Sequence, residues 1–203
     1  MKKIAIFDAM GVIFTTGDDV GELLIPYISG KLSEADHGLV RKLYLEASLG
    51  RITPRDFWKG VGFGEAVIAP FEAGYLNNNF CLDPGFFPCA EALKGKGYTL
   101  AMLSNDVGEW SRHLRQKHGL DRIIEYAFIS SELGLRKPDP EIYRIALSKM
   151  GALPGECVFV DDSPERVDAA RMLGIRGIYF DRDGEDYDGP MVKSFEQLAE
   201  LLV

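Results

Sequence analysis

Four short apolar runs, each followed by a polar segment and then a helix-like pattern, organise this chain. They are Ile4–Phe7, Tyr98–Leu103, Tyr126–Ile129 and Val158–Val160, and a fifth run, Gly177–Phe180, lies near the C-terminus. The runs are continuous rather than alternating, which predicts strands buried on both faces, as in a parallel sheet. Repetition of strand then helix predicts an α/β protein with a Rossmann-like core of three layers. The helix starts carry clear punctuation. Asp139-Pro140-Glu141 supplies a capping residue, a proline at the first helical position and an acid in the first turn, and Ser163-Pro164-Glu165 repeats that order. Gly151 and Gly174 close those two helices, and Lys94 to Gly97 ends a helix that begins near Phe87.

The stretch from Thr16 to Asp83 breaks the rhythm. Glu22–Ile28, Glu34–Ser48, Pro54–Gly60 and Ala66–Phe80 all have helical periodicity, with no strand between them. They predict a small helical insert after the first strand, with Pro84-Gly85 as the hinge that re-enters the sheet. The expected organisation is therefore a core of residues 1–15 and 84–203 and a helical unit of residues 16–83. Asp181 to Gly189, acidic and glycine-containing, reads as a solvated loop.

Composition narrows the function. The chain has 203 residues, a net charge of −8 and 46% apolar residues, which fits a globular protein with a sizeable core. There is no basic cluster, so a nucleic-acid partner is not expected. No apolar run is long enough for a membrane span, and the run after Lys2-Lys3 reads as a first strand, not a signal peptide. Cys81, Cys89 and Cys157 are odd in number and lack metal-ligand spacing, which predicts reduced thiols and a cytoplasmic location. His37, His113 and His118 read as surface residues, Trp58 and Trp110 as core or interface.

In an open parallel sheet, ligands bind beyond the carboxyl ends of the strands. The first strand end presents Asp8, the second Ser104-Asn105-Asp106, the third leads to Arg136-Lys137-Pro138, and the fourth presents Asp161-Asp162-Ser163. Phosphoryl transfer needs a nucleophile in line with the leaving group, positive charge on the phosphoryl oxygens and donors that hold them. Asp8 is a carboxylate nucleophile able to form an aspartyl-phosphate. Lys137 supplies a cation, and Ser104 and Asn105 supply donors. Carboxylate and phosphate repel, so a divalent cation is needed between them. Mg²⁺ prefers hard oxygen ligands, and Asp8, Asp161 and Asp162 offer them.

These segments resemble the four signature motifs of the haloacid dehalogenase-like hydrolases. The segments are Ile6-Phe7-Asp8-Ala9-Met10-Gly11-Val12, Leu103-Ser104-Asn105, Gly134 to Tyr143 through Lys137, and Val158 to Val167 through Asp161-Asp162. The insert resembles the helical cap of that family. Leu49 to Trp58 resembles a cap segment in the branch that includes sugar-phosphate phosphatases and the phosphatase domain of soluble epoxide hydrolases. The resemblance implies that Asp8 is nucleophile and metal ligand, with the Met10 backbone carbonyl and Asp162 as further Mg²⁺ ligands. It places Asp161 in the first or outer shell and Ser104, Asn105 and Lys137 on the phosphate. It implies a small phosphorylated metabolite as substrate; separately, a monomer or homodimer is expected.

Met10 departs from the pattern. The family places at that position a second Asp, which protonates the leaving oxygen and later activates water. A thioether does neither. Loss of such a group costs roughly 10²- to 10⁴-fold, so the expectation is a slow or leaving-group-selective phosphatase. Asp106, Asp18 and Asp19 are candidates to supply the missing proton function. Asp18, Asp19, Tyr44, Arg51 and Trp58 are candidates to contact the leaving group. Two alternatives stand beside this reading. One is a catalytically degenerate protein that binds a phosphorylated ligand or a partner. The other is a metal-independent 2-haloacid dehalogenase, against which the adjacent acids Asp161 and Asp162 argue.

Overall fold

Strand β1 (Ile4–Phe7) explains why the apolar runs are unbroken. Ile4 and Ile6 pack on one side of the sheet with Ile142, Leu147 and Phe159, while Ala5 and Phe7 pack on the other with Phe86, Phe195 and Val160. Both faces are covered, so neither set of alternate positions is polar. A computed structural model describes residues 2–182, 184 and 187–203; Met1 and, in the acidic segment after Asp181, Asp183, Glu185 and Asp186 lie outside the described residues.

Among the described residues the sheet has six parallel strands in the order β3-β2-β1-β4-β5-β6. The others are β2 (Thr99–Ser104), β3 (Tyr126–Ile129), β4 (Cys157–Asp161), β5 (Arg176–Phe180) and β6 (Met191–Val192). Helices flank both faces, an α/β Rossmann-like fold. The chain winds outward from β1 in both directions, so the crevice between the carboxyl ends of β1 and β4 is the topological switch point. β6 is a strand that the apolar pattern does not announce, since two residues carry no periodicity.

Between β1 and β2 the chain is helical. A π-helical turn over Val20–Leu24 runs directly into α1 (Ile25–Ser29), followed by α2 (His37–Ser48), α3 (Pro54–Val61), α4 (Glu65–Asn78) and α5 (Phe86–Gly95). The expected single helix over Glu22–Ile28 is thus in two parts. Pro26 lacks an N–H for the α-helical ladder, and the Ile25 N–H reaches back five residues to Val20 O instead. α2 starts at His37, not Glu34, because Asp36 caps it by accepting from Leu39 N at 3.0 Å. α3 opens with a reciprocal capping box between Thr53 and Asp56.

An aromatic cluster anchors this helical segment to the rest. Trp58, Phe57 and Tyr75 surround Trp110 of α6 (Gly108–His118), and both indole N–H groups donate to Glu72 Oε2, at 2.6 and 2.8 Å. Trp58 and Trp110 are therefore interior, satisfied residues. After β3 follow α7 (Ser130–Leu133) and α8 (Pro140–Met150), then α9 (Pro164–Met172) and finally α10 (Phe195–Leu202). The Lys137–Pro138 peptide bond between α7 and α8 is cis. Among the described residues no helix is long and apolar enough to cross a membrane.

Candidate active site

The ends of β1, β2 and β4 and the loop after β3 contribute to one cleft of about 490 Å³, lined by Asp8, Met10, Asp19, Tyr44, Ser104 and Asn105, with Arg136, Asp162 and Arg166 completing the wall. Asp8 follows β1, and its N–H is tied to Val160 O of β4 at 2.9 Å. Its side chain is almost fully buried. Behind it lies Lys137, whose Nζ is 2.8 Å from Asp8 Oδ1 and 2.6 Å from Asp161 Oδ2, with the lysine side chain and Asp161 wholly out of solvent. A buried lysine between two carboxylates is compensated, and so are they.

Asn105 holds that lysine in place. Its Oδ1 accepts from Lys137 N at 2.8 Å and its Nδ2 donates to Lys137 O at 2.9 Å. The side-chain amide expected to donate to phosphate is thus engaged with the backbone of the cation that faces Asp8. Ser104 differs: the residue lines the cleft, and its buried Oγ has no hydrogen-bond partner among the described residues. A buried hydroxyl left unpaired costs free energy unless a ligand satisfies it.

The third acid, Asp162, is half-buried and lies against two glycines. A Cβ on Gly11 would overlap its carboxylate, and one on Gly17 would stand 2.6 Å from Oδ2. Gly11 also has φ +75, a conformation that other residues adopt at a cost. We expect Gly11→Ala to lower stability by about 1–3 kcal/mol from backbone strain alone and to displace Asp162. Thermal unfolding compared with an alanine substitution at an unstrained, exposed glycine such as Gly155 checks this. The same turn is braced from outside by Arg182, whose Nε donates to Gly11 O at 2.6 Å and whose Nη2 donates to Val12 O at 2.8 Å.

Asp8, Asp161 and Asp162 bring ligand oxygens within 4.8 Å of one another. Hard oxygens so arranged suit Mg²⁺ in kind. The space among them, however, holds Arg166, one helical turn after Asp162. Its Nη1 is 3.1 Å from Asp8 Oδ2, 3.5 Å from Asp161 Oδ1 and 3.6 Å from Asp162 Oδ1. Burial, with Asp8 and Asp161 as neighbouring anions, raises the Asp162 carboxyl to about 8, and burial also raises Asp161.

Across the cleft stand residues of the helical segment. Asp19 is nearly buried and accepts from Tyr44 Oη at 3.3 Å. Burial, reinforced by Asp18 and Asp8, raises its carboxyl to about 7 against the lowering effect of the Tyr44 hydroxyl. Asp18 is half-exposed and pairs with Arg41 at 3.0 Å. Asp106 is buried beneath the cleft, accepts from Val107 N and does not line it. Arg136 is folded in, donating to Ser48 Oγ and lying 6.0 Å over the Tyr44 ring. Arg51 and Trp58 do not reach the cleft: Arg51 pairs with Glu46 at the surface, and Trp58 is wholly interior. Arg166 and Arg182 are the residues that strand-end reasoning passed over. Arg166 was visible as the fourth residue after Asp162 on a helix starting at the site.

Comparison with known proteins brings in both chemistries considered above. A family model described as a haloacid dehalogenase-like hydrolase matches residues 2–174. A sesquiterpene phosphatase of Aspergillus oryzae is 29% identical over 186 residues, which span 87% of this chain and 89% of that protein. An (S)-2-haloacid dehalogenase of a Pseudomonas species is 26% identical, over 98% of this chain and 93% of its own. A solved enzyme of Bacteroides thetaiotaomicron, crystallised as an Asp-to-Ala mutant with magnesium and inorganic phosphate, has a TM-score of 0.72. It is 20% identical, over 93% of this chain and 98% of that one, a likeness of fold.

Proposed function

The chain belongs to the haloacid dehalogenase-like hydrolases, and on that footing we propose that it is a phosphatase of a small phosphorylated metabolite, working through an aspartyl-phosphate at Asp8. The observation that carries this reading is the pairing, in one cleft, of a buried carboxylate backed by Lys137 with the buried, unpartnered hydroxyl of Ser104. A phosphoryl group against Asp8 gives that hydroxyl its missing acceptor. A Asp8 carboxylate oxygen attacks phosphorus, the bond from phosphorus to the leaving oxygen breaks, and the phosphoryl group rests on Asp8. Water then attacks phosphorus, the bond to Asp8 breaks, and inorganic phosphate departs. Lys137 stabilises the carboxylate and the phosphoryl charge, and Asn105 keeps Lys137 in place.

Mg²⁺ is the proposed cofactor, held by Asp8, Asp162 and the Met10 carbonyl with Asp161 alongside. When bound it supplies charge neutralisation between nucleophile and phosphate. Residues 16–83 are proposed as a cap that selects the leaving group. We take the protein to be cytoplasmic and a monomer or homodimer. A screen of phosphorylated metabolites with Mg²⁺, read as phosphate release, tests the reading; release from none of them contradicts it.

Of the acids that could stand in for the missing carboxylate at position 10, geometry favours Asp19. It faces the cleft, whereas Asp106 lies beneath it and Asp18 is bound to Arg41. With its carboxyl raised to about 7, Asp19 carries a proton below that pH and loses it above. It donates to the leaving oxygen and recovers a proton from the attacking water. For alkyl phosphates we expect kcat to decline as pH rises through about 7. Asp19→Asn should lower kcat by roughly 10²-fold and flatten that limb. A pH–rate profile unchanged by the substitution contradicts the assignment.

A second reading keeps one supporting observation. Arg166 offsets the repulsion between Asp161, Asp162 and the nucleophile, so a metal-independent attack on a 2-haloacid is electrostatically open. Halide release in the presence of a chelator is its test.

A further inference from the structure

We infer that Arg166 is an internal cation of the carboxylate cluster, which excludes a divalent metal ion from it until the guanidinium withdraws. Three distances carry this. A single nitrogen, Nη1, faces one oxygen from each of Asp8, Asp161 and Asp162, at 3.1, 3.5 and 3.6 Å. No other described cation touches all three. Lys137 approaches from the opposite side and reaches Asp8 Oδ1 and Asp161 Oδ2, leaving Asp8 Oδ2 and Asp161 Oδ1 to Arg166. The two basic groups thus divide the oxygens of the inner pair between them.

Charge makes the exclusion mutual. In the ionised form that metal binding requires, three carboxylates facing Lys137 alone leave two uncompensated negative charges in a largely buried site. Arg166 reduces that to one, and a divalent ion in its place reduces it to zero. With both present the cluster turns positive, and the ion, bound at about 2.1 Å from its oxygens, would stand within a few ångströms of the guanidinium. Like charges that close in a poorly solvated site repel strongly. The backbone of Arg166 is pinned, since Tyr143 Oη donates to Arg166 O at 2.9 Å. The side chain, however, is 29% exposed and borders the open cleft, so it has somewhere to go. Metal loading of this chain therefore requires a rotamer change of Arg166, and the resting affinity for the ion is low.

This deepens the proposed phosphatase reading but concerns metal binding, which is measured without turnover, so the two fail separately. The experiment titrates Mn²⁺ into the metal-free protein, followed by electron paramagnetic resonance of the free ion and by calorimetry, for the native chain, Arg166→Asn and Arg166→Lys. Asp162→Asn identifies binding that belongs to this cluster. Arg166→Asn is expected to bind Mn²⁺ at least ~10-fold more tightly than the native chain, and Arg166→Lys to stay close to native. Thermal unfolding is the second readout. Arg166→Asn should be destabilised in chelator and recover on adding Mn²⁺, while the native midpoint barely moves. If Arg166→Asn does not fold, the native titration decides: tight, Asp162-dependent Mn²⁺ binding by the native chain overturns the inference, and weak binding supports it. Equal affinity of native and Arg166→Asn for Mn²⁺ likewise overturns it.

Discussion

Asp8→Asn is expected to abolish phosphate-ester hydrolysis, by on the order of 10⁴-fold or more in kcat, as removal of a nucleophile does in enzymes that form covalent intermediates. The substitution should leave the fold intact. Ala9 N donates to Asp8 Oδ1 at 2.7 Å, and an amide oxygen still accepts that bond, without the carboxylate's charge. Lys137 keeps Asp161, and Arg166 keeps Asp161 and Asp162, so no buried cation is stranded. Steady-state rates on an aryl phosphate, beside circular dichroism and the unfolding midpoint, separate loss of chemistry from loss of structure. Substantial residual turnover in a folded Asp8→Asn protein would remove Asp8 from the mechanism.

Met10→Asp is expected to raise turnover, and to raise it unevenly. Met10 lines the cleft beside Asp8 and is nearly buried, so a carboxylate there faces the leaving oxygen. A positioned acid contributes roughly 10²- to 10⁴-fold. Alkyl phosphates, whose leaving groups need a proton, should gain most, toward the lower part of that range because Asp19 already serves that step. Aryl phosphates, whose leaving groups depart as anions, should gain little. The added negative charge is tolerable because Arg166 and Lys137 lie against the neighbouring acids. The measurement is kcat for matched alkyl and aryl substrates in both proteins. Equal rates on both substrate types contradict the idea that Met10 makes the native chain slow.

Local physical rules made much of this architecture readable in advance. Ile4–Phe7 and the later apolar runs are unbroken because both sheet faces are covered, and a parallel sheet places the residues after each strand at one edge. That rule brings Asp8, Ser104, Asp161 and Asp162 to one place without any knowledge of contacts. It also predicts Lys137 nearby, since its loop leaves the end of β3. Other features depend on tertiary paths that no spacing encodes. Asn105 is expected on the phosphate, and the structure adds a second engagement that no spacing shows, the pair of hydrogen bonds between its amide and the Lys137 backbone. Arg182 braces the Gly11 turn from a distance of 171 residues along the chain. The π-helical turn before Pro26 and the two-residue β6 are too short for periodicity to register. Arg166 is the instructive case. Its spacing from Asp162 was plain, but only the docking of α9 turns its guanidinium inward, between the three acids.

Labelling Asp8 itself tests the central claim most directly. The native protein, or Met10→Asp where turnover is faster, is mixed with an aryl phosphate, quenched in acid during turnover and digested for mass spectrometry. The account predicts one phosphoryl group on the peptide that holds Asp8, released by hydroxylamine as an acyl phosphate is, and absent from Asp8→Asn. Steady hydrolysis by the native chain with no phosphoryl group on Asp8 at any quench time, or a group that persists in Asp8→Asn, would contradict it.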